Sequence, residues 1–301
     1  MMDSYGRAIT GIRVSLTQRC NLNCIYCHHE GEAVSSTEMS CDEISRIIHV
    51  AAGLGISRVK YTGGEPLLRE DLDDIILETI SAGISDVAIT TNGLLLSRRA
   101  KGLKDAGLRR LNISLPSLKP GVYNSLTGGD LGAVIEGIRS ARSLDLDVKL
   151  NTVIMQGINV SEIDVMMDFA HSNGCSLQII ELEDLGIDRS LFESLHFDLS
   201  GVEDEISIRA VQVSVREDMN RRTRYRLGSL QVEVVRPLNN PSFCSRCSRL
   251  RLTSSGKLKP CLMRSDNLID LIGPMRMGCP DTMIKDLFLN AVGRRAPYYT
   301  I

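Results

Sequence analysis

Short apolar runs rich in β-branched residues alternate with amphipathic segments along the first 183 residues. Ser40, followed by Glu43 three residues later, predicts a capping box where the first amphipathic segment begins. A strand followed by a helix, about six times over, predicts a parallel sheet with right-handed crossovers. The predicted strands are 11–17, 58–62, 86–91, 109–115, 147–155 and 176–183, and the helices between them are 42–55, 71–83, 97–107, 132–144 and 161–174.

Six strand–helix units are too few for the closed eight-fold βα barrel. The sequence therefore predicts an α/β fold with either an open, three-quarter parallel βα barrel or a doubly wound sheet. In both architectures the functional residues gather at the carboxyl ends of the strands. At these positions the chain carries a cysteine group after strand one, Gly63-Gly64-Glu65-Pro66 after strand two, and Thr91-Asn92-Gly93 at the end of strand three.

The regular alternation stops after about residue 184, which predicts two parts. Residues 1–183 would form the barrel core, and residues 184–301 a smaller α+β region that closes its open end. Within the second part, 208–238 are typical of a strand, a basic turn and a strand, and 280–295 of a last helix. Two groups of arginines are expected in solvent, one in the basic turn and one in a fraying tail: Arg221, Arg222, Arg224 and Arg226, then Arg294 and Arg295.

The composition is that of an ordinary globular protein, with 43% apolar and 24% charged residues. A formal net charge of −2 indicates no bulk attraction to nucleic acid or to a membrane surface. The N-terminus has no signal or transit pattern, and no run reaches the roughly 18 apolar residues of a membrane span. We therefore expect a cytoplasmic protein.

Six of the nine cysteines fall into two groups, at positions 20, 24, 27 and 244, 247, 261. In a reducing compartment such grouping indicates metal ligation rather than disulfides. Three thiolates suit an iron–sulfur cube that leaves one iron open to a small molecule. A structural zinc needs four ligands, and in that alternative His28 or His29 supplies the fourth in the first group and Cys279 in the second.

Arg249 and Arg251 stand at alternate positions within the second cysteine group. On a strand they point to one face, and their guanidinium forks suit phosphate or the edge of a purine. Lys60 and Lys149, taken singly, are typical of solvent-exposed strand residues. Their place on neighbouring parallel strands, which usually lack a solvent face, favours a functional role instead.

The first cysteine group, its aromatic residue and the Gly-Gly-Glu-Pro turn together resemble the radical S-adenosylmethionine (SAM) superfamily. The resemblance implies a [4Fe–4S] cluster whose open iron chelates the amino and carboxylate groups of SAM. It also implies a 5′-deoxyadenosyl radical that abstracts a hydrogen atom from the substrate. The implied cluster ligands are Cys20, Cys24 and Cys27, and the implied SAM contacts are Tyr26 near the adenine, Gly64 near the methionine amino group, and Ser114 near the ribose or carboxylate.

Over nearly its whole length the chain resembles the GTP 3′,8-cyclase family of molybdenum cofactor biosynthesis, a similarity carried by "YTGGEPLLREDL", "AGLRRLNISL" and the C-terminal cysteine segment. This implies a lyase that converts GTP to (8S)-3′,8-cyclo-7,8-dihydroguanosine 5′-triphosphate. The implied partners are an electron donor of the ferredoxin or flavodoxin type, a downstream pterin synthase and a second copy of the chain. A second [4Fe–4S] cluster, facing the guanine, is implied on Cys244, Cys247 and Cys261, and GTP contacts on Arg13, Lys60, Thr91, Lys149, Arg249 and Arg251.

Strand six departs from the bacterial pattern of that family. Gln178 stands where an arginine is usual, and Glu183 where a methionine commonly contacts SAM. The chain also ends without the pair of glycines that many members insert toward the active site. The "HHEGE" continuation and the short ending resemble the archaeal branch. Two other functions remain open, a radical SAM enzyme that acts on a peptide and a zinc-stabilised binding module without catalysis.

Overall fold

The computed structural model describes residues 1–216, 220, 222–238 and 240–298. Within these residues the strands are β1 (Gly11–Ser15), β2 (Arg58–Thr62), β3 (Asp86–Thr91), β4 (Arg110–Ser114), β5 (Asp147–Ile154), β6 (Ser176–Glu181), β7 (Gln212–Val215), β8 (Thr223–Leu227), β9 (Leu230–Val235), β10 (Arg249–Leu252), β11 (Lys257–Lys259) and β12 (Ile269–Asp270). The helices are α1 (Cys41–Gly53), α2 (Leu72–Ser81), α3 (Leu96–Asp105), α4 (Pro120–Thr127), α5 (Leu131–Ser143), α6 (Ile163–Ser172), α7 (Arg189–Leu195), α8 (Ser200–Arg209), α9 (Pro241–Ser245), α10 (Ile272–Arg276) and α11 (Asp281–Gly293).

One sheet runs through the whole described chain in the order β12-β11-β10-β1-β2-β3-β4-β5-β6-β9-β8-β7. Every neighbouring pair from β10 to β9 is parallel. Because β1 to β6 lie side by side in chain order, the doubly wound alternative, whose strand order reverses at a switch point, is wrong. The two edge strands do not pair with each other, so the predicted open parallel βα barrel is confirmed.

The C-terminal part extends both edges of this sheet rather than packing beside it. Strand β9 pairs with β6, and β10 pairs with β1. The predicted strand, turn and strand of 208–238 are in fact three strands, because Gly228, at φ +60°, allows a second tight turn between β8 and β9. The boundary between residues 183 and 184 stays a prediction, since a single sheet spans it.

The two faces of the sheet differ in polarity. Alternate residues such as Ile12 and Val59 are buried in the apolar core against the helices. The strand register aligns the intervening positions across the other face, where Arg251, Arg13 and Lys60 are neighbours on β10, β1 and β2. In a βα barrel this second face is the interior. The polar side chains of the parallel strands therefore point into the barrel interior.

The predicted start of α1 is confirmed. The Glu43 amide donates to Ser40 Oγ at 3.2 Å, and the Ser40 amide donates to Glu43 Oε2 at 2.9 Å, which completes the capping box. Helix α4 was not predicted, although Pro120 begins it and the left-handed Gly128 ends it, because eight residues show little periodicity. No helix of the described residues is long and apolar enough to cross a membrane.

Candidate active site between the two cysteine groups

Both cysteine groups line one large cavity, which has an empty volume of about 2290 Å³ including the part open to solvent. All nine cysteines are free thiols. The cavity wall includes strand ends from the barrel and segments of the C-terminal part, so groups more than two hundred residues apart in sequence share one space. The predicted site residues that line it are Arg13, Cys20, Cys24, Tyr26, Cys27, Gly64, Thr91, Ser114, Cys244, Cys247, Arg249, Arg251 and Cys261.

The first cysteine group fits an iron–sulfur cube better than a zinc ion. Burial and the neighbouring Cys27 and Cys20 thiols raise the pKa of Cys24 to about 12, so the three sulfurs are close enough to repel one another as thiolates. A cationic iron–sulfur centre offsets that repulsion. Among the described residues, no three His, Cys, Asp or Glu side chains converge as the ligands of one metal ion. A cube accepts wider spacing, because each thiolate binds a different iron.

The two loops that follow β1 and β2 approach each other closely at Gly64. Its amide donates to the Thr17 carbonyl at 2.6 Å, and the next amide, of Glu65, donates to the Arg19 carbonyl at 2.8 Å. A Cβ on Gly64 would overlap the Arg19 carbonyl oxygen and lie 2.6 Å from its carbon. Only glycine fits here, directly beside Cys20.

The Glu65 carboxylate ties this turn to the loop after β3. It is fully buried and accepts hydrogen bonds from the Leu67 amide at 2.9 Å, Thr91 Oγ1 at 2.7 Å and the Asn92 amide at 2.7 Å. Burial raises the pKa of Glu65, and these donors oppose the rise. The Asn92 side chain in turn donates to Asn21 Oδ1 at 2.8 Å, next to Cys20. Thr91 therefore lines the cavity with its hydroxyl engaged by Glu65.

The second cysteine group comes from α9, which contains Cys244, from the turn before β10, which contains Cys247, and from the segment after β11, which contains Cys261, and the C-terminal tail holds it. Arg295 donates to the Cys247 carbonyl at 2.7 Å and to Asp3 Oδ2 at 2.7 Å, and its side chain is only 3% exposed. Burial raises the pKa of Cys247, but Arg249 and Arg295 lower it to about 7 overall. The expectation of a fraying tail is thus wrong for Arg295, which lines the cavity.

The three alternative zinc ligands differ in where they lie, and His29 lines the cavity. Cys279 does not line the cavity, and its carbonyl accepts a hydrogen bond from Arg46. His28 lines the cavity, but its Nδ1 accepts a hydrogen bond from the Glu30 amide at 3.0 Å, which closes the turn after Cys27.

A buried carboxylate that was not predicted, Glu30, joins the first cysteine loop to two of the predicted substrate arginines. Its carboxylate lies 2.5 Å from Arg251 Nη1 and 3.5 Å from Arg13 Nη1, and it accepts a hydrogen bond from Thr62 Oγ1 at 2.9 Å. Burial opposes ionisation, but Arg13 and Arg251 hold the pKa of Glu30 well below its usual range. The backbone at Glu30 is left-handed, with φ 51°, a strained conformation that these contacts maintain.

A second buried carboxylate, Glu233, gathers cations beside β6. It is fully buried and lies 2.9 Å from Lys149 Nζ and 3.5 Å from Arg222 Nη1. Burial raises its pKa, but Lys149 and Arg222 lower it to about 2 overall. Arg222 also donates to Gln178 Oε1 at 2.8 Å, and its side chain is 8% exposed. A solvated turn is therefore wrong for Arg222, whereas Arg226 is exposed as expected and Arg221 lies outside the described residues.

The two predicted substrate lysines, Lys60 and Lys149, do not line the main cavity. Lys60 faces a smaller pocket, near the Asp86–Arg110 ion pair of 2.7 Å, and burial with surrounding cations lowers its pKa. Lys149 is engaged by Glu233. Their contact with a substrate stays a prediction.

Two further polar side chains in the cavity lack a partner. Asn151 is aligned with Ser114 across β4 and β5, and its buried Oδ1 has no hydrogen-bond partner in the described chain. The Glu183 Oε2 atom is likewise buried and unpaired there. Buried polar atoms are normally satisfied, so both indicate donors on a bound ligand. The period-2 pattern of β5 could have identified Asn151, because it stands on the same face as Lys149.

Comparisons with known proteins agree with this geometry. The model of the radical SAM superfamily matches residues 14–170, and that of Molybdenum Cofactor Synthesis C matches 175–301. A relative from Methanocella arvoryzae, named probable GTP 3′,8-cyclase, is 42% identical over 99% of this chain and 94% of its own. One of the same name from Pyrococcus abyssi is 44% identical over the full length of both chains.

Solved structures support the fold. The crystal structure of Streptococcus suis SuiB bound to precursor peptide SuiA has a TM-score of 0.65 and is 16% identical, over 85% of this chain and 60% of that one. SuiB bound to S-adenosylmethionine has a TM-score of 0.62 over 84% of this chain and 58% of that one. The chain thus spans about three-fifths of the length of these structures. With its sheet, its paired cysteine groups and its full-length relatives, the chain belongs to the radical SAM superfamily and, within it, to the GTP 3′,8-cyclase family.

Proposed function

We propose that this chain is a GTP 3′,8-cyclase that converts GTP to (8S)-3′,8-cyclo-7,8-dihydroguanosine 5′-triphosphate. The observation that carries the proposal is the single cavity that both three-cysteine groups and a set of buried arginines line. Curated relatives that match the whole chain bear the name of this activity. The product is the first intermediate toward the pterin of the molybdenum or tungsten cofactor.

Cys20, Cys24 and Cys27 would hold one [4Fe–4S] cluster, and Cys244, Cys247 and Cys261 a second. When bound, the first cluster and SAM supply the radical chemistry that removes a hydrogen atom from the substrate ribose. The chain holds this reaction in a shared enclosed space, where Tyr26, Gly64 and Ser114 would contact SAM. Asn151 and Glu183 would satisfy their unpaired oxygens on the bound ligands.

The predicted GTP contacts are Arg13, Lys60, Thr91, Lys149, Arg249 and Arg251. A triphosphate carries about four negative charges, which several buried cations can balance. Arg13 and Arg251 are already oriented by Glu30 toward the space beside the first cysteine loop. Lys60 and Lys149 do not line the cavity, so they would act on the phosphates through the electrostatic field.

Three partners belong to the proposal as well. These are an electron donor of the ferredoxin or flavodoxin type, a downstream pterin synthase and a second copy of the chain. The donor follows from the chemistry, because reductive cleavage of SAM consumes one electron that the chain does not generate itself.

Anaerobic reconstitution tests the proposal. The protein, incubated with GTP, SAM and a chemical reductant, should form 5′-deoxyadenosine and consume GTP, and should carry about eight iron atoms. Cys20→Ala and Cys244→Ala should each lose about half of this iron. Cys41→Ala is a matched control, because Cys41 lies in α1 outside the cavity and should leave the iron unchanged. Zinc in place of iron, or reconstituted protein that leaves GTP unchanged, would refute the activity.

A further inference from the structure

A group of cationic side chains surrounds one buried carboxylate beside β6. Four cationic side chains lie within 4 Å of the single buried carboxylate of Glu233, at 2.9, 3.3, 3.5 and 3.6 Å: Lys149, Arg224, Arg222 and Arg216. These cations share the one carboxylate, and its contact with Arg222 is 3.5 Å, longer than an ordinary hydrogen bond. A buried guanidinium that is only partly compensated is costly unless an anion is bound beside it. The position of Arg222 therefore indicates an anion site.

Arg222 is the member of this group that reaches the cavity. It lines the cavity, whereas Lys149, Arg216 and Arg224 do not. Its side chain is 8% exposed, and its buried Nε has no hydrogen-bond partner in the described chain. One other nitrogen, Nη1, lies 2.8 Å from Gln178 Oε1 and 3.5 Å from Glu233 Oε2. A guanidinium has five N–H donors, so several remain for a ligand.

Two other arginines on the cavity wall complete the surroundings of Arg222. Arg249 donates to Asn220, which lies two residues before Arg222 and also lines the cavity. Arg13 stands on β1 and lines the same space. Burial lowers the pKa of Arg222, and Arg13 is close enough that its charge lowers it further. The residue before β8, the strand β10 and the strand β1 thus each contribute a guanidinium to one cavity.

We propose that Arg222 binds the phosphate chain of the nucleotide substrate and that Gln178 and Glu233 orient it. This inference rests on the proposed function of the same cavity and adds a substrate residue from the C-terminal hairpin. A planar guanidinium can donate two parallel hydrogen bonds to one phosphate group. Because the contact is to phosphate and not to the base, Arg222 would determine how strongly the site prefers GTP over nucleotides with fewer phosphates.

Equilibrium binding of GTP, GMP and guanosine to the reconstituted protein tests the proposal. Arg222→Gln should weaken GTP binding by about 10- to 100-fold, the effect of losing a charge-assisted hydrogen bond. The loss should be smaller for GMP and absent for guanosine. Arg222→Lys keeps the charge but not the guanidinium fork, so its GTP affinity should lie between those of the wild type and Arg222→Gln. Arg226→Gln, at an exposed position of β8 four residues after Arg222, is the matched control and should change nothing.

A rescue variant separates a phosphate contact from a general structural role. The ends of the Gln178 and Arg222 side chains lie 2.8 Å apart. The double variant Gln178→Arg with Arg222→Gln therefore returns a cation to the same place from β6, and should recover most of the lost GTP affinity. Thermal melting and iron content, both expected to match those of the wild type, establish that each variant is folded.

Two results would overturn the role of Arg222. One is GTP affinity that Arg222→Gln leaves unchanged, and the other is an equal loss for GTP and guanosine, which would indicate a contact to the base or a distorted cavity. Failure of the proposed function has a different signature. Wild-type protein with both clusters would then bind no guanine nucleotide at all, and the proposed role of Arg222 would be refuted together with the proposed function.

Discussion

Gly64→Ala offers a sharp test of how the turn after β2 supports the first cysteine group. The added Cβ would overlap the carbonyl oxygen of Arg19, and would lie 2.6 Å from the Arg19 carbonyl carbon and 2.8 Å from the Gln18 carbonyl oxygen. Carbon atoms in ordinary contact are about 3.5 Å apart, so the backbone beside Cys20 has to move by about 1 Å. These atoms belong to the backbone and cannot rotate away.

A displacement of about 1 Å at a reacting centre can cost about 100-fold in rate. We therefore expect Gly64→Ala to form 5′-deoxyadenosine about 100-fold more slowly than the wild type, with weaker SAM binding. The strain itself should lower the free energy of unfolding by only about 1–3 kcal/mol, so the protein should still fold. The assay is the anaerobic rate of 5′-deoxyadenosine formation, with iron content and SAM binding measured on the same samples.

Gly53→Ala is the matched control, because a Cβ on Gly53, at the end of α1, meets no atom within 4 Å. It should keep wild-type iron, SAM binding and rate. The steric reasoning fails if Gly64→Ala also keeps a rate within about threefold of the wild type, a difference of less than 1 kcal/mol in the barrier. It also fails if both variants lose activity equally, because the new Cβ meets the backbone of Arg19 at position 64 and no atom at position 53.

Two further substitutions test the buried ion pairs. Burial raises the pKa of Glu30, but Arg13 and Arg251 lower it by a larger amount, so that it lies below the unfolded value of about 4.3. The ionised carboxylate therefore stabilises the fold above that value, and this contribution is lost as the pH falls below it. Glu30→Gln should lower the free energy of unfolding at pH 7 by about 3 kcal/mol and flatten its dependence on pH, as measured by denaturant titration; an unchanged pH dependence would contradict this role. Arg295→Gln should selectively lose iron from the second cluster, read as about half the total, whereas the exposed Arg294→Gln should keep all of it; equal iron in both variants would contradict the role of the tail.

The barrel could be predicted from the sequence because its determinants are local. Each strand from β1 to β5 is a short β-branched run followed by a predicted amphipathic helix, β6 is a sixth such run, and the predicted runs contain all six observed strands. The cysteine spacing and the two arginines at period 2 on β10 are equally local patterns. The sequence alone left the choice between an open barrel and a doubly wound sheet, because strand order is a property of the tertiary structure.

The sequence could not reveal the residues that act through long-range contacts. Arg222 and Arg295 resemble the exposed arginines beside them, Arg226 and Arg294, and only their burial against Glu233 and Asp3 distinguishes them. Charged residues are buried only when they are paired. Asp3 lies 292 residues from Arg295, and Glu233 approaches Arg222 because β8 pairs with β9. Whether an arginine in a basic turn is buried or exposed can therefore be predicted only once the pairing of the neighbouring strands is known.

The pairing of strands explains why the two cysteine groups can share one cavity without a separate domain interface. Strand β10 continues the sheet beyond β1, with Arg251 aligned to Arg13, and Glu30 then links both arginines to the loop of the first cysteines. At the other edge β9 continues the sheet beyond β6, and Glu233 fixes the cations there. Both edges of the barrel are thus completed by the C-terminal part, whose strands also carry charge into its interior. Since the same hydrogen-bonded strands build the fold and position these cations, a displacement of β9 or β10 should disturb the substrate site before it unfolds the core.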